Sequence, residues 1–186
     1  MIRLNVVSRI NEDKNFFFDL IYAVFKLKHS GVEGVQLLFI GDVLSRAVYQ
    51  DMRRLANLLE IPDQISFTRQ SIRMSNLPES VKEGYFFNFT IADFTGFSGI
   101  ESVSLGYKTI FYNPDKKLAE RMTTWPSMCR DLASLVSLIT AINENQLAAD
   151  AAIRQDNLRM KALFYLSEED KRFLRSVLLP GKGVSA

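Results

Sequence analysis

A chain of 186 residues is long enough to bury one sizeable core, and one domain with a terminal appendage is expected. Its 47% apolar and 24% charged residues are ordinary for a globular protein, and a net charge of +2 is too small to argue for nucleic acid or an anionic membrane surface. One cysteine, Cys129, forms no internal disulfide, and no apolar run approaches the roughly 20 residues of a membrane span, so a reducing, cytoplasmic setting is expected.

The chain is strand-like from Ile2 to Val7, with no signal-peptide pattern before it, which gives the expectation of a piece of a longer protein. A polar loop follows over Ser8–Asn15. Phe17, Leu20, Ile21 and Val24 then fall at i, i+3, i+4 and i+7, one face of a helix ending near Lys28 and Gly31. Val35–Ile40, stopped by Gly41-Asp42, reads as a strand buried on both faces. Leu44, Val48, Met52, Leu55 and Leu59 recur at helical spacing, with Arg46, Arg53 and Arg54 on a solvated face. Pro62-Asp63 turns the chain into a short strand over Ile65–Thr68, and Leu77-Pro78 starts a short helix.

Next comes one βαβ unit. An aromatic strand around Tyr85–Phe89 runs into a turn holding Gly96 and Gly99, then a short apolar helix carrying Glu101 and closed by Gly106, then the strand Thr109–Phe111. After Asn113-Pro114 the pattern is helical throughout. Leu132, Leu135, Val136 and Ile139 line one face, a polar, Ala-rich helix covers about Gln146–Lys161, and a last helix starts at Ser167 and ends at Pro180-Gly181 before a disordered tail. Strands alternating with amphipathic helices imply a Rossmann-like, three-layer αβα fold with a mostly parallel sheet and a helical C-terminal segment. The expected division is a domain over 1–165 and a helix and tail over 166–186.

In such sheets ligands bind at the carboxyl ends of the strands, which singles out the loops Ser8–Lys14, Phe67–Arg73 and Thr90–Gly99. The first has no glycine, so there is no dinucleotide fingerprint, and no Gly-Lys-Ser/Thr phosphate loop occurs. The single histidine, His29, falls at a helix end and reads as surface. There is no Cys/His cluster at metal-ligand spacing and no Ser/His/Asp set. What remains is Arg9 and Lys14 in the first loop and Asp93 and Glu101 around the glycine turn. A guanidinium and an ammonium can neutralise a diphosphate, and amides over Gly96–Gly99 at a helix start attract anions. Two carboxylates can accept from the hydroxyls of a sugar. Each residue also has a plainer reading. Arg9 and Lys14 could be exposed loop charges, Asp93 a turn residue or cap, and Glu101 a carboxylate at the rim.

Taken together, these stretches resemble the C-terminal, donor-binding half of a retaining glycosyltransferase of the two-Rossmann (GT-B) architecture, in the group 1 family. Ser8-Arg9-Ile10 to Lys14 is similar to that family's Gly-Arg-…-Glu-Lys loop, and Leu37–Asp42 to its strand ending in Ile-Gly. Leu55–Thr68 resembles the segment before the loop near the nucleobase, and Asp93–Ile110 the Glu-x7-Glu motif with its continuation. The likeness runs in order over roughly residues 2–145. It implies that Arg9 and Lys14 hold the donor's diphosphate and that Asp93 contacts the transferred sugar, these three forming the catalytic set. It also implies that Glu101 binds the ribose, that Gly96, Phe97, Ser98 and Gly99 contact sugar and phosphate, and that Thr68 and Arg69 lie on the donor's nucleotide. The sequence departs from the family at Asp93 (Glu there), Phe94 (Gly), Lys108 (often Pro) and Ser8 (Gly).

The implied reaction is transfer of a sugar, of hexosyl type, from a nucleotide diphosphate donor to an acceptor hydroxyl, with no metal or other cofactor because cationic side chains take its place. The implied partners are a nucleotide-sugar, an acceptor sugar or lipid-linked glycan, and an N-terminal acceptor domain that this sequence does not match. The isolated chain is then expected to be inactive. Polysaccharide synthesis in the cytoplasm, peripheral to the inner membrane through the other domain, is the setting the resemblance implies. A related two-domain epimerase or phosphorylase, and a non-catalytic α/β binding module derived from a glycosyltransferase, are the alternatives.

Overall fold

The computed structural model describes residues 1–14, 16–91, 94–114 and 124–178. The helix end expected at Pro180-Gly181 and the tail after it lie outside these residues. Six parallel strands form the sheet: β1 (Ile2–Val7), β2 (Val35–Ile40), β3 (Ile65–Phe67), β4 (Tyr85–Ile91), β6 (Lys108–Tyr112) and β7 (Met128–Cys129). Their order across the sheet is β3-β2-β1-β4-β6-β7, while a two-residue β5 (Phe94–Thr95) pairs antiparallel with the end of β4. The helices are α1 (Phe16–His29), α2 (Arg46–Leu58), α3 (Glu79–Lys82), α4 (Phe97–Ser104), α5 (Leu132–Glu144), α6 (Gln146–Phe164) and α7 (Glu168–Leu178). This is the expected three-layer αβα fold.

The strands are apolar on both faces because both faces are covered. Leu4, Val6, Leu37, Phe39, Tyr85 and Phe87 pack beneath α1, α2 and α5 in the main core. Ile40 and Phe86 meet Met74 and Leu77 on the other face, and Val103 of α4 meets Phe111, Met128 and Met160 further along it. From β1 the chain builds first outward through β2 and β3, then returns to place β4 on the opposite side of β1. The loops after β1 and β4 therefore diverge and leave a crevice at the carboxyl edge.

β7 was not expected from the sequence, which reads as helical after Pro114. It is only two residues long, too short for an alternation of side chains to show. The Ala-rich α6 also differs from its surface-helix appearance. Asn157 accepts from the Thr109 amide at 2.8 Å and donates to the Thr109 carbonyl at 2.8 Å, so α6 lies along the outer edge of β6. On the same edge the Phe111 amide reaches the Ser127 carbonyl at 2.8 Å, and the Ser127 amide reaches Asp156 at 2.9 Å.

Gly41 fixes the loop after β2 against the loop after β1. A Cβ there would overlap the Ser8 carbonyl oxygen and lie 2.7 Å from its carbon. Gly41→Ala is therefore expected to cost about 1–3 kcal/mol, as overpacking does, and to displace the backbone carrying Arg9. Urea unfolding measures the first effect, and an unchanged midpoint would show that the Ser8 turn yields freely.

Candidate functional site

The crevice between the ends of β1 and β4 holds a cavity of about 550 Å³. Its wall on the β1 side is a loop held from several directions. Ser8 N–H donates to the Ile40 carbonyl at 3.0 Å, Ile10 N–H to the Asp42 carbonyl at 2.9 Å, and the Ile10 side chain is buried. This anchoring leaves Arg9 exposed at the cavity and Lys14 half-buried in its wall, with Lys14 Nζ donating to Ser8 Oγ at 2.6 Å. The floor is aromatic: Phe16 at the start of α1 stacks on Phe89 of β4 with ring centroids 4.1 Å apart.

The opposite wall is the start of α4. Gly96 is its N-cap, and the helix's own hydrogen bonds begin with the Gly99 and Ile100 amides, both donating to the Gly96 carbonyl. The Phe97 and Ser98 amides belong to the first turn, whose N–H groups have no partner within a helix and attract anions. The helix ends in a Schellman motif, with Gly106 at φ +76° donating to the Val103 carbonyl and the Tyr107 amide to the Ser102 carbonyl.

The structure thus brings Arg9, Lys14, Gly96, Phe97 and Ser98 to one cavity. Asp93 lies outside the described residues. The other sequence-expected residues do not line the cavity. Gly99 is buried within α4, and Glu101 is exposed on that helix. Thr68 Oγ1 accepts from the Gly41 amide at 3.2 Å and donates to the Gln70 carbonyl at 2.7 Å, while Arg69 is exposed at φ +58° in the turn that follows. His29 is exposed, as read. Asn88 is a cavity residue that sequence reasoning passed over, while Ser71 and Ile72 come from the loop Phe67–Arg73 that it singled out without naming them. An alternation of side chains along β4 could have pointed to Asn88, since it breaks the aromatic run Tyr85–Phe89.

Among the described residues, the charged ones lining the cavity are Arg9, Lys14 and Asp13. Burial, and then repulsion from Arg9, hold the Lys14 ammonium below the ordinary lysine range, with Asp13 opposing the shift. Asp42 is held low chiefly by the Ser71 hydroxyl, at 2.6 Å, and then by the Ser71 amide, at 3.0 Å. It thereby pins the loop that carries Ser71 and Ile72 to the cavity. Burial pushes the Cys129 thiol up to about 12, so it is no nucleophile at neutral pH. Among the described residues no group of His, Cys, Asp and Glu side chains is placed to hold a metal ion, and no helix is long and apolar enough to cross a membrane.

No protein-family model matches the sequence, and no curated protein matches it. Solved structures do. The chain is similar to HepE of Anabaena in complex with UDP and glucose, at a TM-score of 0.68 and 13% identity over 97% of this chain and 48% of that one. It is similar to a glycosyltransferase of Rickettsia africae ESF-5, at a TM-score of 0.64 and 16% identity, over 97% of this chain and 49% of that one. The C-terminal domain of the glycosyl transferase group 1 family protein LpcC of Francisella tularensis gives 0.64 and 11% over 88% of this chain and 86% of that one. The chain therefore has the fold of the C-terminal domain of such glycosyltransferases, as the resemblance in sequence implies. It spans about half the length of the Rickettsia and Anabaena chains.

Proposed function

We propose that the chain is the donor-binding domain of a retaining glycosyltransferase and holds the diphosphate of a nucleotide-sugar in the cavity between β1 and β4. The observation that carries this reading is that Arg9 and Lys14 line the same cavity as Gly96, Phe97 and Ser98 at the start of α4, in a fold shared with glycosyltransferases. Fixed cations and oriented amides stabilise charge growing on a departing diphosphate without needing a metal. Asp93 would contact the transferred sugar. Glu101, exposed on α4, would take the ribose, and the turn at Thr68 and Arg69 would lie toward the base. An N-terminal domain would supply the acceptor site, for a sugar or lipid-linked glycan, so hexosyl transfer should need both halves. Polysaccharide synthesis on the cytoplasmic side of the inner membrane is the setting that fits. HepE, of the same fold, has been seen with UDP and glucose. Calorimetry with UDP, GDP and ADP tests the reading: at least one should bind at one site per chain, and binding by none overturns it.

Protonation supplies a second test. Lys14 in the free protein loses its proton below the ordinary value of 10.5, and a bound diphosphate favours the ammonium. Affinity should therefore fall as pH rises through the lowered Lys14 value, with proton uptake on binding in that window. The sign for stability is opposite. The unfolded chain binds more protons there, so the free protein gains stability with pH over the same interval. Calorimetry at a series of pH values from neutral up to 10.5, each in two buffers of different ionisation enthalpy, measures the uptake, and Lys14→Gln should abolish it.

A further inference from the structure

Asn88 is a buried polar residue on the cavity wall with an amide nitrogen left over. It lies on β4, is 6% exposed, and faces α4, where Ser98 Oγ donates to its Oδ1 at 3.2 Å. Its Nδ2 is buried and has no hydrogen-bond partner. A buried polar group left unpaired destabilises the fold, so its partner is expected from outside the chain. Asn88 lines a small enclosure with Val7, Met74, Phe86, Phe87 and Ser98, together with Ser102, whose hydroxyl is already paired with Thr109 Oγ1 at 2.6 Å. It also lines the cavity shared with Arg9, Lys14 and the start of α4. Turning the amide over does not remove the unused donor. Nδ2 would then donate to Ser98 Oγ, and the Ser98 hydroxyl proton would be the one free for a ligand.

We propose that Asn88, backed by Ser98, is a buried hydrogen-bond donor for a phosphoryl oxygen of the nucleoside diphosphate. The inference rests on the donor-domain reading. It adds a third kind of contact to the cations and the backbone amides, and one set in the sheet itself rather than in a loop. Among the described residues the charged groups lining this cavity are two cations, Arg9 and Lys14, against one carboxylate, Asp13, a balance that favours an anionic oxygen over a donating hydroxyl.

Two variants of the whole chain test it, each titrated calorimetrically with UDP, GDP and ADP and each melted without ligand. Asn88→Asp keeps the size and the acceptor for Ser98 but replaces the donor with an anion. Asn88→Leu keeps the volume and removes an unpaired polar group, so the free protein should melt unchanged or higher. The expected result is at least a tenfold loss of affinity in both variants for the nucleotide that binds the wild type, with no fall in the melting temperature of Asn88→Leu. Variants that bind as wild type, while Arg9→Ala binds weakly, overturn the role of Asn88 and leave the donor-domain reading standing. Affinity lost only in step with a lowered melting temperature in both variants also overturns it, since that marks a structural residue. Wild type that binds none of the three nucleotides overturns both.

Discussion

Asn157→Leu is expected to destabilise the chain by about 3 kcal/mol, or roughly 6–12 °C in melting temperature for a domain of this size. Both backbone polar groups of Thr109 depend on this side chain, at 2.8 Å each, and Thr109 and Asn157 are buried. In a longer sheet the outer edge of β6 would pair at Thr109 with its neighbour. Here β7 pairs only with Phe111 and Tyr112, so the carboxamide stands in for the missing strand. Leucine fills a similar volume but strands one buried amide and one buried carbonyl, and each costs about 1–3 kcal/mol. Asn157→Asp retains an acceptor for the Thr109 amide, loses the donor to its carbonyl and adds a buried charge, so it should be no better. Leu158→Ala, at an exposed neighbouring position, should stay within about 0.5 kcal/mol of wild type. Denaturant unfolding of the three variants decides the matter. A loss below 1 kcal/mol for Asn157→Leu would mean that water or a relaxed backbone satisfies Thr109.

That clamp also marks a limit of the sequence. The apolar runs at Val35–Ile40 and around Tyr85–Phe89 announce strands buried on both faces, and the glycine stop at Gly106 announces the end of α4, because each depends on neighbours within a few residues. Asn157 and Asp156 bond to groups 48 and 29 residues away, so nothing local distinguishes them from the solvated polar residues of an Ala-rich helix. Lys108 illustrates the same point. It departs from the resembled family, yet its ammonium sits 3.1 Å from Asp150 and over the Tyr85 ring at 4.2 Å, at the end of β6 remote from the cavity. Burial, and then the Asp150 carboxylate, push the Tyr85 hydroxyl above its ordinary range, which keeps it a donor to Asp150 at 2.6 Å. The substitution therefore belongs to the packing of α6 and says nothing of the ligand.

The cavity was legible as loops and not as a surface. Knowing that ligands sit at strand carboxyl ends selects the Arg9–Lys14 loop and the turn at Gly96, and the folded chain places them on facing walls. Ser8 stands where the resembled family has glycine, and in the structure its hydroxyl receives Lys14 Nζ at 2.6 Å, so the exchange positions the ammonium. Glu101 shows the converse. Its spacing from Asp93 fits the family motif, but the side chain is exposed outside the cavity lining, where spacing along a helix cannot place it. The last helix, α7, carries exposed apolar side chains, with Phe173 66% and Leu178 70% exposed.

On the ligand side, Arg9→Ala is expected to weaken nucleoside diphosphate binding roughly 30- to 1,000-fold, the equivalent of about 2–4 kcal/mol. Three features make this side chain the strongest single contributor. It lines the cavity; among the described residues it has no ion pair to give up; and its guanidinium can fork onto two phosphoryl oxygens at once. Lys14, by contrast, is a point charge that already gives one of its three N–H donors to Ser8 Oγ, so Lys14→Ala should cost less. Arg9→Lys should recover only part of the affinity, because an ammonium cannot reproduce the fork. Since Arg9 is exposed in the free chain, all these losses should come without a change of more than about 1 °C in melting temperature. Added salt should weaken the wild type more than Arg9→Ala, which has one charge fewer to screen. If Arg9→Ala binds UDP, GDP or ADP as the wild type does, the diphosphate does not lie between the two walls, and the cavity serves another anion or none.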